Sequence, residues 1–235
     1  MLKNINISNI LFLDIETVSA YNSYESLPGT FQKLWDKKSK YIKTSENEEH
    51  SVTYKKAGIY AEFGKIICIS VGCLQNNELR IKSFYGDNEQ KLLEDFCHTL
   101  EKFANKKNAR LCAHNGKEFD FPYIARRLLI NSLPLPDIIN TAGKKPWEVA
   151  HLDTLELWKF GDYKNYTSLQ LLSLLFKIAD PKDDIDGNDV GAVYWIDHDI
   201  ERIVRYCQKD VVTIAQLLLR YLNRPLITED KILFL

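Results

Sequence analysis

Two carboxylates stand at the end of an apolar segment near the start of the chain. Asp14 and Glu16 follow residues 10–13, which read Ile-Leu-Phe-Leu and should form a buried strand. Because residues i and i+2 of a strand point to the same face, the two side chains should project together. Burying unpaired charge is costly, so this placement calls for a compensating partner. By itself the spacing also fits two solvated acids just past the strand.

Two further acids lie in similar positions later in the chain. Asp120 stands between two phenylalanines, just after a short apolar segment at residues 110–114. Tyr206 and Asp210 are four residues apart on a predicted helix, so they share one face of it. Each has an ordinary alternative: Asp120 could cap the following helix, and the tyrosine–aspartate pair could belong to an exposed polar stripe.

The four acids together favour a metal site. Two like charges about 4 Å apart repel by about 4 kcal/mol at a surface-like effective dielectric, and divalent cations remove that penalty. Ligands that are all oxygen suit Mg²⁺ or Mn²⁺ rather than zinc. Two such ions form the usual arrangement for cleaving phosphodiesters by in-line displacement. Since the sequence has no P-loop and no GxGxxG motif, we predict metal-assisted phosphodiester hydrolysis.

The composition is that of an ordinary globular protein. The chain has 235 residues, 45% hydrophobic and 27% charged, with a net charge of −1. This balance excludes a strongly basic nucleic-acid coat but allows local contacts with nucleic acid. Five cysteines without a CxxC motif favour a reduced, cytoplasmic protein, and five histidines without HExxH argue against zinc catalysis. We expect no membrane association, because no apolar stretch approaches about 18 residues.

The order of apolar patterns predicts a single α/β domain over residues 1–235, with a mixed sheet covered by helices. Residues 19–60 read as a polar insertion with a short helix near 31–37. Asp87 is the expected cap of the first long helix. The predicted strands are residues 9–14, a hairpin of 65–73 and 79–85, then 110–114 and 151–158; the main helices after the hairpin follow Asp87 and cover 119–130 and 199–223.

Three short motifs resemble those of a known enzyme family. FLDIET, HNGKEFD and YCQKD resemble, in order and spacing, the three exonuclease motifs of the DEDD superfamily. They are most similar to its tyrosine branch, which includes the proofreading domains of family-B DNA polymerases. The histidine branch would need a histidine five residues before Asp210, where this chain has Arg205. Since no polymerase domain follows, we expect a stand-alone member of bacterial type.

The resemblance implies a ribonuclease-H-like fold and 3′-to-5′ removal of nucleoside monophosphates with two divalent ions, Mg²⁺ or Mn²⁺. By this resemblance Asp14, Glu16, Asp120 and Asp210 hold the metals. Tyr206 would hydrogen-bond the attacking water, and its ordinary pKa near 10 makes it a poor base at neutral pH.

The resemblance also implies a substrate side to the site. Thr17 would lie against the terminal sugar, and Asn115 and Phe119 would line the substrate. The expected substrate is the 3′ end of single-stranded DNA. An exoribonuclease that trims RNA ends is the alternative, as is a non-catalytic module that keeps the fold to bind nucleic acid or a partner. The sequence identifies no protein partner.

Overall fold

The computed structural model describes residues 5–42, 49–162, 164, 166–178 and 185–235. In these ranges the chain forms a mixed sheet of six strands in the order β5-β4-β1-β2-β3-β6. β1 is antiparallel to β2 and parallel to β4. The strands are β1 (Ile10–Ser19), β2 (Gly64–Gln75), β3 (Glu78–Tyr85), β4 (Arg110–Ala113), β5 (Leu152–Asp153) and β6 (Ile232–Phe234).

Helices cover both faces of the sheet. The alternation of β1 divides its side chains: Leu13 joins the cluster of α3 and α4, while Phe12 joins that of α8. Gly72 lets α8 approach β2 closely, since a β-carbon there would lie 2.8 Å from Val211 Cγ1. The helices are α1 (Gly29–Ser39), α2 (His50–Thr53), α3 (Glu89–Ala104), α4 (Asp120–Ile130), α5 (Thr154–Lys159), α6 (Leu169–Leu175), α7 (Val190–Ala192) and α8 (Ile200–Tyr221).

This architecture confirms the predicted α/β class and is consistent with a ribonuclease-H-like exonuclease domain. The hairpin is also confirmed: Asn76 and Asn77 both have positive φ, 52° and 65°. That conformation gives the tight turn that matches the twist of the flanking strands.

The first strand is longer than predicted. It runs to Ser19, with an irregularity in its pairing with β2 between Glu16 and Thr17. On its other side β1 pairs with β4 only as far as Phe12. Beyond Phe12, this edge of β1 is therefore not paired with β4 and can accept contacts from other groups.

Two local predictions were wrong. Asn88, not Asp87, caps α3 by accepting the backbone N–H of Lys91. Asp87 accepts a hydrogen bond from the Tyr194 hydroxyl instead. The strand predicted at 151–158 is only the two residues of β5, because the Asp153 carboxylate caps the helix that follows at once.

The insertion at 19–60 contains the predicted helix, as α1. Although the segment is polar overall, its described residues pack around Trp35, which is fully buried. The Trp35 indole donates to the backbone carbonyl of His50, which ties α1 to α2. That residues 1–235 form one domain stays a prediction. No helix among the described residues is long and apolar enough to cross a membrane.

Candidate active site

The centre of the site is the acid pair on β1. Asp14 and Glu16 face α8, as the two-residue period of the strand requires. Cys207 of α8 lies directly against them and donates its thiol hydrogen to the backbone carbonyl of Asp14, at 3.4 Å. One ligand atom from each of these three side chains lies within 4.8 Å of the other two. Glu16 is buried, with 7% of its surface exposed.

Asp120 reaches the same acids from the other side of β1. It is the first residue of α4 and is 3% exposed. Its carboxylate accepts the backbone N–H of Ile15, on the β1 edge that β4 leaves open. The short length of β4 thus explains why an acid from the next helix can lie beside Asp14.

Tyr206 and Asp210 come from successive turns of α8, as the sequence predicted. The Tyr206 hydroxyl and the Asp210 carboxylate share a hydrogen bond. Asp210 is close enough to raise the pKa values of both Asp14 and Glu16 by charge repulsion. The structure therefore brings all four predicted acids and the tyrosine into one region.

The electrostatics of this region are unfavourable without a cation. Burial, followed by repulsion from neighbouring acids, raises the pKa values of Asp14 and Glu16 well above the ordinary range. Burial raises the pKa of Asp120 to about 8, although backbone N–H groups partly oppose this. Among the described residues no lysine, arginine or histidine forms an ion pair with these three acids. Asp14 Oδ2 is buried and has no hydrogen-bond partner.

This unpartnered oxygen is the observation that fits a metal. A buried carboxylate oxygen without a donor is rare in proteins, because it loses its hydration without compensation. Several carboxylates around it offer the all-oxygen ligands that Mg²⁺ and Mn²⁺ prefer. The residues present therefore fit the divalent ions that such exonuclease domains normally use. Asp14, Glu16, Asp120 and Asp210 would hold them.

A cavity of about 480 Å³ opens onto two of the four acids, Asp14 and Asp210. Asp14, Tyr206 and Asp210 line it on the sheet and α8 side. His114 and Tyr166 also line it, and their rings meet edge to face with centroids 6.4 Å apart. Its other lining residues are Ser168, Leu169, Gln170, Ser173, Ile185, Asp186, Asp189 and Thr213.

The sequence patterns did not assign to the site most of the residues that line this cavity outside β1 and α8. In the sequence Tyr166 is one of several aromatics that could stack on a terminal base, and no pattern singles it out; in the structure it is 67% exposed. His114 directly precedes the HNGKEFD core residue Asn115, but nothing in the pattern assigned it to the cavity. Its ring bridges the Thr154 hydroxyl, at 2.9 Å, and the Thr167 carbonyl, at 3.0 Å.

The three predicted substrate residues lie near the acids but not among the described residues that line the cavity. Thr17 hydrogen-bonds the hydroxyl of Tyr123. Phe119 packs against the Tyr123 ring, with centroids 5.4 Å apart. Asn115 has a positive φ of 63° and donates its backbone N–H to Asp153. Their contact with substrate stays a prediction.

A family model describes most of this chain. Residues 59–229 match the family of predicted 3′-5′ exonucleases related to the exonuclease domain of PolB. No curated protein was found to match the chain. The matched range includes Asp120, Tyr206 and Asp210, whereas Asp14 and Glu16 precede it and join the site through β1. The chain belongs to this family of predicted 3′-5′ exonucleases.

Proposed function

We propose that the protein is a metal-dependent exonuclease that removes nucleoside monophosphates from the 3′ end of single-stranded DNA. The observation that carries the proposal is the convergence of four acids from β1, α4 and α8, where no cationic side chain in the described part of the chain pairs with those of β1 and α4. Such a cluster is costly for the fold alone and suited to two divalent ions. Membership in the exonuclease family supports the same conclusion.

Two bound divalent ions would supply stabilisation of the charge that develops on the phosphate and a water of lowered pKa. Asp14, Glu16, Asp120 and Asp210 would hold them. Because the ions lower the pKa of the water, none of these carboxylates needs to act as a base. Burial raises the pKa of Tyr206, and the Asp210 charge raises it further, so the phenol keeps its proton at neutral pH. Tyr206 would therefore orient the attacking water by hydrogen bonding.

The cavity supports a substrate of nucleotide size. Its volume of about 480 Å³ falls in the range of small-molecule pockets. The exposed ring of Tyr166 lines the same cavity as Asp14 and Asp210 and could stack on the terminal base, as aromatic side chains of single-strand binders do. Stacking tolerates any base, which suits an enzyme that removes nucleotides in succession.

The test is a nuclease assay with a 5′-labelled single-stranded oligonucleotide and Mn²⁺ or Mg²⁺. We expect a ladder of products shortened from the 3′ end. Asp120→Asn should abolish the ladder, while the matched control Asp95→Asn, on the exposed face of α3, should not change it. Equal activity of Asp120→Asn and the wild type would overturn the proposal.

The sugar preference is tested in the same assay. Parallel DNA and RNA oligonucleotides of one sequence, with each metal, separate a deoxyribonuclease from an RNA-trimming enzyme. Faster digestion of the RNA would replace the DNA substrate proposed here. The absence of products from both, together with retained oligonucleotide binding, would identify a non-catalytic binding module.

A further inference from the structure

Two buried thiols adjoin the acid pair, and the proposed hydrolysis does not use them. Cys207 Sγ lies within 4.8 Å of ligand oxygens of both Asp14 and Glu16. Cys68 stands opposite Glu16 in the register of β1 and β2 and hydrogen-bonds the Cys207 thiol. Both cysteines are fully buried. A thiol therefore forms part of the wall of a site that otherwise consists of oxygen ligands.

Sulfur changes the metal preference of such a site. Mg²⁺ takes oxygen ligands, whereas Zn²⁺ and Cd²⁺ bind thiolates readily and usually bind more tightly than Mg²⁺ or Mn²⁺ at mixed ligands. With bonds of about 2.0 to 2.3 Å, the ligand atoms of a tetrahedral zinc site lie about 3.3 to 3.8 Å apart. Because the ligand atoms of the present cluster lie within 4.8 Å of one another, a contraction of at most about 1.0 to 1.5 Å would bring them to these distances.

The unpartnered oxygen of Asp14 is a second, independent indication of a ligand here. Asp14 Oδ2 is buried without a hydrogen-bond donor, while Cys207 is held to the same residue through the Asp14 backbone carbonyl. A thiol bound in this way can turn toward the carboxylates by exchanging one weak hydrogen bond for a metal bond.

We propose that Asp14, Glu16 and Cys207 bind a thiophilic divalent cation, Zn²⁺ or Cd²⁺, and that this ion blocks the site against Mg²⁺ and Mn²⁺. Binding releases the Cys207 thiol proton to solvent, and the Cys68 thiol then donates to the resulting thiolate. The ion occupies both acids of β1, which leaves Asp120 and Asp210 without the partners that a catalytic pair of ions needs. The blocking effect rests on the proposed exonuclease function; the binding does not.

The binding is tested without any nuclease assay. Titration of the reduced, metal-free protein with Cd²⁺ should produce a thiolate-to-cadmium charge-transfer band in the ultraviolet, with one ion bound per chain. Cys207→Ser should remove the band. Cys73→Ser should keep it, because Cys73 packs against the α3 and α4 cluster on the other face of the sheet. A band that persists in Cys207→Ser would overturn the proposal.

A second variant separates this site from thiol binding alone. Asp14→Asn keeps every thiol and should weaken Cd²⁺ binding by at least about tenfold, because it removes a charged ligand. Thermal unfolding of each variant shows that it is folded before titration. Unchanged affinity in Asp14→Asn would contradict a mixed carboxylate–thiolate site, and it would do so even if Cys207→Ser failed to fold.

The blocking effect is tested by Zn²⁺ inhibition of Mn²⁺-supported cleavage, with each variant compared only with itself. In the wild type, micromolar Zn²⁺ should inhibit strongly; in Cys207→Ser the concentration for half inhibition should rise about tenfold or more. Equal inhibition of both would overturn the blocking effect. If neither cleaves DNA or RNA, the proposed function fails while the cadmium titration still decides the binding.

Discussion

Two groups of buried acids in this protein differ in the hydrogen-bond donors that the fold supplies to them. Glu89, which is 7% exposed, accepts hydrogen bonds from Arg127 Nε at 2.8 Å and from the backbone N–H of Ile66 at 2.7 Å. A third donor is the Asn131 amide, at 3.1 Å. Asp14 is enclosed just as closely on one oxygen, but that oxygen has no donor at all. One acid is compensated by the chain itself and the other is not.

We propose that this difference separates structural acids from functional ones. Asp153 belongs with Glu89: it is 3% exposed and accepts the backbone N–H groups of Asn115, Lys117, Leu155 and Glu156. The fold supplies donors to these two acids but leaves the acids around Asp14 to repel one another, which is the arrangement expected if a cation binds there. We therefore propose that burial without compensation, rather than burial alone, distinguishes the acids that hold the metals.

The largest effect should come from removing one of the four acids proposed to hold the metals. Asp210→Asn should lower kcat by at least about 10³-fold, since a metal ligand contributes no less than one oxyanion-hole donor. Its melting temperature should not fall, because the change removes charge repulsion. Single-turnover cleavage and calorimetry check both points. A large loss of stability would mean that Asp210 stabilises the fold, as Glu89 and Asp153 do.

The converse change in the compensated group should affect stability. Glu89→Gln leaves Arg127 with a weakened partner in a buried position, and the free energy of unfolding should fall by about 3 kcal/mol. Urea unfolding measures it. The exposed control Glu94→Gln should change stability by less than about 0.5 kcal/mol. If Glu89→Gln were as stable as the wild type, the interpretation of Glu89 as an acid that stabilises the fold would be wrong.

The pH dependence of stability should distinguish the metal-free from the metal-bound protein. The pKa of Asp120 is about 8 in the folded chain against an ordinary value of 3.8, so the folded state binds more protons between those values. Without metal, the free energy of unfolding should therefore decrease as pH rises from about 4 to about 8. We expect a decrease of about 3 kcal/mol between pH 5.5 and pH 8.

Thermal unfolding in EDTA and in Mn²⁺ at pH 5.5 and pH 8 measures this effect. Mn²⁺ should raise the melting temperature more at pH 8, where it displaces fewer protons from the acids than at pH 5.5. Asp120→Asn should flatten the profile in EDTA. A metal-free protein whose stability increased over this range would contradict the raised pKa.

The smallest of the four effects concerns Tyr206. Tyr206→Phe removes one hydrogen bond to the attacking water and leaves every carboxylate in place, so cleavage should slow by about tenfold. Calorimetry should show Mn²⁺ affinity within about threefold of the wild type. Unchanged turnover would remove Tyr206 from the mechanism and leave its hydrogen bond with Asp210 a structural contact.

The acids could be predicted from the sequence because strand and helix periodicity fix their directions. Asp14 and Glu16 share a face by the two-residue period, and Tyr206 and Asp210 by the helical one. Tyr166 and His114 could not be assigned, because they face the cavity from irregular segments without a period. The thiol of Cys207 was overlooked for another reason: its neighbour Asp14 is 193 residues away in sequence.

The end of β5 shows a limit of local patterns. Residues 151–158 read as a strand because they are largely apolar, yet the strand stops where the Asp153 carboxylate caps α5. The same carboxylate holds the backbone of Asn115 after β4. Asp153 fulfils both roles because β4 and β5 are neighbours in the sheet. The pattern of a single segment contains no information about such a contact between separate strands.

The close packing of α8 on β2 makes helical phase a determinant of the site. Val211 sits over Gly72, and Cys207 over Asp14, so the rotation of the helix about its axis is fixed at two points. One alanine inserted before Tyr206 would rotate the parts of α8 on its two sides by about 100° relative to each other about the helix axis. The angular setting of a single helix, more than the presence of its residues, thus determines whether the acids of α8 meet those of β1.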